Sequence, residues 1–514
     1  MAFTPPTPKH EFEIVPDASS VASEGWAPSI LVFTGTKALL QSETVSKLLP
    51  SSSADTLKAL LEEKGKAGEN GSSVSTYVKD ASGKFVQVVF CVLPDSCSRS
   101  NCPAQPHAIS SLTAPFLSDG SKSVGVLLCL ADTKYAVAGA CSIARNLPLF
   151  LMKTKGMPEK GEQGTVRVGF GFPSSSSDSL PLGRVFFAAQ GVRLAAKIVD
   201  MHPEVMNTVH FQQEAQKAVE RMAKAGFTVK TEVIEGEALR DRGFGGIWGV
   251  GRAGTHPPRL VILSYEPPAA KTTVAMVGKG VVYDSGGLSL KIGGTMCGMK
   301  CDCGGAAAVL GSFEAAVSSK VAAEKGVRLH ALLCLAENCI GPSAYRNDDI
   351  LTLYSGKTVE INNTDAEGRL LLGDGVAYAT KQLAPDMLID MATSTGAQMV
   401  TTGKKHAGVM TNSERAEKAF VQAGVVSGDV AHPMLYAPEF LKSESKSVVA
   451  DMKNSVKDRM NAQSSCAGTF VGEHIADSFE GEWVHLDIAG PAWSDKGGTG
   501  YGVALIVEML NAAK

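Results

Sequence analysis

The sequence predicts an α/β fold in two domains: a smaller N-terminal α/β domain and a larger C-terminal domain whose mostly parallel, mixed central sheet is flanked by helices. Three observations carry that expectation. At 514 residues the chain exceeds what one hydrophobic core usually supports. Strand-length apolar runs alternate with helical patterns over about 300 residues of its C-terminal part, the signature of a sheet covered on both faces. A Ser/Pro-rich stretch, PSSSSDSLPLG, separates the two parts as a linker. The expected division is residues 1–172, a linker at 173–183, and residues 184–514.

The elements follow in order. In the first part SILVFTG, VQVVFCVL, VGVLLCLA and TVRVGFGF read as strands between helical or polar segments, with no evident catalytic cluster. After the linker, Val185, Ala188, Ala189, Val192, Ala195, Ala196 and Val199 recur at helical spacing, predicting a helix over 184–200 that Pro203 ends. Phe211, Ala215, Ala218 and Met222 predict a second helix over 209–225. RLVILSY, TVAMVG, RLHALLCLAE, MLIDMAT and WVHLDIAG read as strands. GGAAAVLGSFEAAVSS, RLLLGDGVAYATKQL and GVALIVEMLNAAK read as the helices among and after them. No internal repeat is evident.

Composition narrows the function. Apolar residues make up 44% and charged residues 20%, and 49 basic against 52 acidic residues leave a net charge of −3. That balance argues against a nucleic-acid partner or a membrane surface. MAFTPPTPKHEFEIVP lacks an apolar stretch behind a basic start, so no secretory signal is expected there. No apolar run approaches the ~20 residues that a spanning helix requires. Eleven cysteines, several inside apolar runs (Cys91, Cys129, Cys334), predict reduced, buried thiols and a cytoplasmic compartment.

Four stretches invite chemistry. GVGRAG at 249–254 matches G-x-G-x-x-G, but Pro257 and Pro258 lead into a strand where a dinucleotide site needs a helix; a glycine-rich turn is expected instead. In VGKGVVYDSGGLSLK, Lys279 and Asp284 are expected just past the end of an apolar strand, where ligands of open α/β sheets collect, with Lys291 after a double glycine. In MCGMKCDCGGAAAVLG, Asp302 precedes a helix, where capping is the ordinary role for an aspartate. The C-x3-C-x-C spacing of Cys297, Cys301 and Cys303 lacks the paired spacing of structural zinc sites, so packing is expected of them. His202, His256, His330 and His485 have no neighbours at ligand spacing, and His485 is expected in the core. In NNTDAEGRL, Asp365, Glu367 and Arg369 alternate, so in an extended loop they would point one way.

Brought together, Asp284, Asp302, Asp365 and Glu367 would repel and raise one another's pKa. Two divalent cations sharing carboxylates remove that conflict and hydrolyse amide or phosphate bonds. An oxygen-rich site suits magnesium and manganese and accepts zinc, and Lys279 could join it only as a neutral amine. Residue types and spacing thus lead to a two-metal hydrolase.

VGKGVVYDSGGLSLK, MKCDCGGAAAVLG and NNTDAEGRL, in this order, resemble the signature of the leucyl (cytosol) aminopeptidase family. The resemblance covers roughly 185–514, including HLDIAG, and is much weaker before residue 170. It implies two neighbouring divalent metal sites (zinc, manganese, magnesium or cobalt). One would use Lys279, Asp284, Asp302 and Glu367, the other Asp284, Asp365 and Glu367, in a C-terminal catalytic aminopeptidase domain. Lys291 resembles the family's catalytic lysine, and Arg369 resembles the arginine that holds a bicarbonate acting as general base. Met299, Thr393, Ser394 and Gly396 correspond to positions around the pocket for the N-terminal side chain. The resemblance also implies peptide substrates with a free α-amine, a cytoplasmic location and a homohexamer. ATSTGA stands where relatives read ATLTGA, so Ser394 replaces a leucine and bears on both the anion and a preference for leucine. The thiols at 297, 301 and 303 are unusual for this neighbourhood. The presence of all seven metal and catalytic positions argues against an inactive scaffold. The near-neutral charge argues against a nucleic-acid-binding regulator.

Overall fold

Runs of branched and aliphatic residues that can be buried on both faces form the centre of each of two large sheets, while short, charged or serine-rich strands form their edges. The computed structural model describes residues 8–22, 26–50, 53–80, 82–155, 157–159, 161–173 and 179–513. Part of the expected linker (174–178) and the first seven residues of the chain therefore lie outside the described residues. The chain divides into two compact units, residues 1–193 with 425–428, and residues 194–424 with 429–514.

The first unit contains β1 (Glu11–Ile14), β2 (Ile30–Thr36), β3 (Ser72–Lys79), β4 (Phe85–Leu93), β5 (Val124–Cys129) and β6 (Thr165–Gly171). They pair in the order β1-β6-β5-β2-β4-β3, all parallel except β3 against β4. The four expected strands are present as β2, β4, β5 and β6. The two unexpected ones, β1 and β3, are the edges. EFEI is short and charged, and SSVSTYVK is mostly exposed, so neither shows the apolar run that marks a central strand. Phe33 and Phe90 stack at 5.6 Å within a buried cluster that includes Leu57 and Leu61.

The second unit contains β7 (Val229–Glu235), β8 (Arg259–Tyr265), β9 (Thr272–Asp284), β10 (Val327–Asn338), β11 (Ile350–Thr352), β12 (Thr358–Glu360), β13 (Met387–Ala392), β14 (Ala407–Thr411), β15 (Ala431–Pro433), β16 (Met452–Lys453) and β17 (Glu482–Asp487). Eight of these form one sheet, β15-β14-β17-β13-β9-β10-β8-β7. Its centre, β17-β13-β9-β10, is parallel; β8, β7 and the β14–β17 pairing are antiparallel. The mixed, mostly parallel sheet expected from the sequence is therefore present. Helices Thr208–Lys224, Gly304–Ser318, Gly368–Tyr378, Gln463–Gly472 and Val503–Ala512 belong to this unit, and Asn207 caps the first by accepting from Val209 and His210 N–H. Among the described residues no helix is long and apolar enough to cross a membrane.

Three expectations need correction. The run TVAMVG continues as strand to Asp284, so Lys279 and Asp284 lie inside β9 and not beyond its end. Gly278 and Gly280 let it run on in close contact with Ala306 and Leu335, where a Cβ would clash. The expected helix over RLLLGDGVAYATKQL is α-helical only to Tyr378 and closes in a π-turn over Ala379–Leu383. GVGRAG is not a simple turn: its first three residues complete a short helix, Gly245–Gly251, whose glycines pack against Leu351 and Pro258. β7 and helix Glu414–Ser427 are additional elements, the former an exposed, charged edge.

One buried carboxylate ties this unit together. Asp374, fully buried on helix Gly368–Tyr378, accepts from Ile247 N–H and Tyr354 N–H, both at 2.8 Å. Burial lifts its pKa to about 7 against these donors. Asp374→Ala strands both amides, so we expect a loss of about 2–4 kcal/mol in chemical denaturation. A loss below about 0.5 kcal/mol would show that water replaces the carboxylate.

Candidate metal centre

Three chain segments deliver the candidate residues: the second half of β9 with the turn after it, the 3-10 turn Met299–Cys303 before helix Gly304–Ser318, and the turn 362–367 leading into helix Gly368–Tyr378. β9 and β10 are parallel, and a register shift between Ala336 and Asn338 brings Asn338 opposite Asp284. After Asp284 the chain reverses through Gly286 and Gly287, both with positive φ. A Cβ on Gly287 would stand 2.9 Å from Asn338 Oδ1 and 3.0 Å from Thr364 Oγ1, so only glycine lets the turn pass this close. Gly368 is equally constrained: a Cβ there would lie 2.3 Å from the Lys279 side chain.

The side chains converge. Lys279 Nζ lies 2.7 Å from Asp302 Oδ1 and 3.0 Å from Glu367 Oε1. Lys291 Nζ lies 2.9 Å from Asp284 Oδ2 and 2.5 Å from Asp365 Oδ1. Asp284, Asp302 and Glu367 are buried, and each offers an oxygen within 4.8 Å of the others'. Asp365 is more open, with its side chain 31% exposed beside Lys291. All four carboxylates and both lysines thus belong to one cluster.

Its electrostatics are those of crowded acid. Burial pushes Asp284 up to about 8, with the Glu367 and Asp302 carboxylates adding to the push. Burial lifts Asp302 to about 6 against the pull of Lys279, and raises Asp365 against the pull of Lys291. Burial acts on Glu367 too, but Lys279 prevails and holds it below its usual value. For Lys279 burial favours the neutral amine, yet Asp302, Glu367 and Asp284 together hold it above its ordinary range. Lys291 is held up in the same way by Asp284 and Asp365.

The donor set fits divalent cations. Four carboxylates face two ammonium groups, and the buried Oδ2 of Asp302 has no hydrogen-bond partner among the described residues. Asp284, Asp302 and Glu367 are also the one group of three or more His, Cys, Asp or Glu residues found at metal-holding distances among the described residues.

The remaining expected residues fall around this cluster. Asp365, Glu367 and Arg369 do not alternate along an extended loop: Glu367 already has helical dihedrals and Arg369 sits in the first helical turn. Arg369 makes none of the cluster's ion pairs. It is buried, its guanidinium lies over the Phe470 ring at 6.0 Å, and Nη1 donates to the Asn454 carbonyl at 2.8 Å. Burial lowers its pKa to about 10, so it stays charged at neutral pH. Asp302 does not cap the following helix; Cys303 holds that position, and no side-chain cap bond forms. Thr393 donates from Oγ1 to Asp302 Oδ1 at 2.7 Å, and its carbonyl accepts from Lys279 at 3.0 Å. Met299 and Ser394 are half-buried, Gly396 is exposed, and Ser394 N–H donates to Asp487 Oδ1 at 3.1 Å. Of the three thiols, Cys303 is buried, Cys301 half-buried and Cys297 exposed, so packing accounts for the first and not the last. His485 is in the core as expected, with Nδ1 2.6 Å from Asp390 Oδ1.

Sequence reasoning missed the supporting polar residues. Asn338 Nδ2 donates to Asp284 Oδ1, and Tyr345 Oη donates to the Thr364 carbonyl. Asn454 accepts at Oδ1 from Asn362 N–H and donates from Nδ2 to Asn363 and Ala366 carbonyls. The one signal for Asn338 was an amide ending the apolar run RLHALLCLAEN.

A family model described as "Cytosol aminopeptidase family, catalytic domain" matches residues 193–507. A second, "M17 aminopeptidase N-terminal domain 2", matches residues 29–156, so the resemblance reaches the N-terminal part that its motifs left unmarked. The chain is 49% identical over 426 residues to the human "Probable aminopeptidase NPEPL1", covering 82% of this chain and 79% of that protein. Among solved structures it is similar to the apo leucyl aminopeptidase of Trypanosoma cruzi, with TM-score 0.87 and 40% identity over 99% of this chain and 98% of that one. It is also similar to the Leishmania major leucyl aminopeptidase in complex with actinonin, with TM-score 0.89 and 35% identity over 98% and 95%.

Proposed function

The chain belongs to the cytosol aminopeptidase family and is a peptidase, and from that premise we propose that it removes the N-terminal residue, apolar and leucine-like, from peptides with the help of two divalent cations. The buried cluster of Asp284, Asp302 and Glu367 is the observation that carries this reading. One cation would be held by Lys279 (as its neutral amine), Asp284, Asp302 and Glu367, the other by Asp284, Asp365 and Glu367. When bound, zinc, manganese, magnesium or cobalt would supply Lewis-acid polarisation of the scissile carbonyl and activation of water.

The chain's own residues supply the rest. Lys291 ends a glycine-bounded turn with its ammonium at the open side of the cluster, next to Asp365. From there it donates to the carbonyl oxygen as negative charge develops on it, which is worth most where burial lowers the effective dielectric. Arg369 is a buried cation whose guanidinium has one hydrogen-bond partner among the described residues, the Asn454 carbonyl, which leaves donors for an anion; bicarbonate is the proposed occupant. Thr393 keeps Asp302 turned toward the cluster through its hydroxyl. Met299, Ser394 and Gly396 border the space for the N-terminal side chain. The homohexamer and cytoplasmic location that the family resemblance implies go with this reading.

Peptides with free and with acetylated N-termini test it directly, assayed with manganese, zinc, magnesium and cobalt in turn. Release of the first residue from free peptides alone is expected; no release with any cation would refute the reading. Lys291→Ala should keep its cations while turnover falls by about 10²–10³-fold, since the ammonium acts on developing charge. Asp284→Ala should instead lose cation content by elemental analysis. Full turnover in the first variant, or full occupancy in the second, would remove these roles.

A further inference from the structure

We propose that Asn338 is a positioning residue: through Asp284 it sets how tightly the cluster holds its cations and how fast the enzyme turns over. The inference rests on the two-cation reading above.

An amide NH₂ has two hydrogens. Asn338 commits them to Asp284 Oδ1 at 2.8 Å and to the Thr364 carbonyl at 3.0 Å, with Glu367 Oε2 at the edge of range at 3.5 Å. The same residue's carbonyl accepts from Ser285 N–H at 3.2 Å and Ser285 Oγ at 2.7 Å. One fully buried residue therefore joins the end of β9 to the turn that carries Asp365 and Glu367. Its amide meets each carboxylate from behind. Asp284 is bonded through Oδ1 while Oδ2 faces Lys291, and Glu367 turns Oε2 toward the amide while Oε1 faces Lys279. Together with Gly286 N–H, which donates to the same Asp284 Oδ1 at 2.9 Å, the amide holds Asp284 Oδ2 inward and leans Glu367 Oε1 the same way.

Asn338 has no other evident purpose. It lies in a strand whose other side chains are mostly apolar and buried, and its Oδ1 is buried without a hydrogen-bond partner among the described residues. A group that merely filled space at the end of RLHALLCLAE would be apolar at lower cost, because an unpaired buried carbonyl destabilises. An amide held here despite that cost is explained by the donors it aims at Asp284 and the 364–367 turn.

The test compares wild type, Asn338→Ala and Asn338→Asp in the full chain. Asn338→Asp keeps the shape but replaces donors with acceptors, and its added charge alone would tighten cation binding. Each protein is stripped of metal with a chelator, checked for native circular dichroism, titrated with Mn²⁺ by calorimetry, and assayed for kcat and KM. We expect Asn338→Ala to bind at least one of its two cations about 10–100-fold more weakly, with kcat reduced about 10–100-fold and KM within about threefold. Asn338→Asp should also lose kcat about 10-fold or more despite its extra charge. Wild-type kcat in either folded variant overturns the proposal. So does failure of both to fold, which would assign Asn338 to the fold alone. If wild type itself binds no Mn²⁺, the two-cation reading fails, and that outcome is distinct from wild-type binding that the variants leave unchanged.

Discussion

The site in the second unit answers to one constraint: three buried carboxylates are held close enough to share a cation, with a fourth at the rim beside Lys291. A buried charge without its partner costs about 3–5 kcal/mol. Asp284, Asp302 and Glu367, each at most 4% exposed, therefore cannot be left to themselves. Lys279 and Lys291 compensate only part of the charge: burial, with neighbouring carboxylates adding to it, keeps Asp284 and Asp302 above the usual carboxylate range. On the proposed reading, divalent cations would complete the compensation, and the same charge density that makes the cluster costly would make it useful for hydrolysis.

The fold meets the constraint by layering supports. Parallel β9 and β10 end side by side at the carboxyl edge of the sheet, where α/β folds place their ligands. A register shift then turns Asn338 onto Asp284, and consecutive glycines let the next turn pass beneath Thr364. Thr364 Oγ1 accepts from Ser289 N–H and donates to the Gly286 carbonyl, locking the Lys291 turn to the 364–367 turn. Polar side chains that hold other polar side chains keep first contacts within a few tenths of an ångström, which hydrolytic geometry requires.

The central strands and the main helices were legible in the sequence because each depends on local pattern, apolar runs and helical spacing. The four carboxylates and two lysines that meet in one cluster stood out as charged residues beside glycines and turns, and it was the family resemblance that grouped them. What was not legible depends on partners distant in sequence. β3 and β7 are edge strands whose pairing, not composition, makes them strands. Lys279 looked like a residue beyond a strand, because a glycine-flanked lysine breaks the apolar run; only burial against Asp302 and Glu367 explains it inside β9. The bond from Thr393 to Asp302 spans 91 positions, and that from Asn338 to Asp284 spans 54, so no window of sequence shows either. The GVGRAG motif shows the converse. Its local pattern matches a dinucleotide-binding turn that the following prolines already excluded, and the structure puts Gly249 and Gly251 to packing in a short helix, not in a simple turn.

We propose that this cluster is a binuclear cation site. Anomalous diffraction from crystals grown with manganese tests it most directly. Two anomalous peaks per chain are expected, both within ligand distance of Asp284 and Glu367, one toward Asp302 and one toward Asp365. A map with no peak among these four carboxylates, in crystals whose protein is folded and supplied with excess manganese, would contradict it.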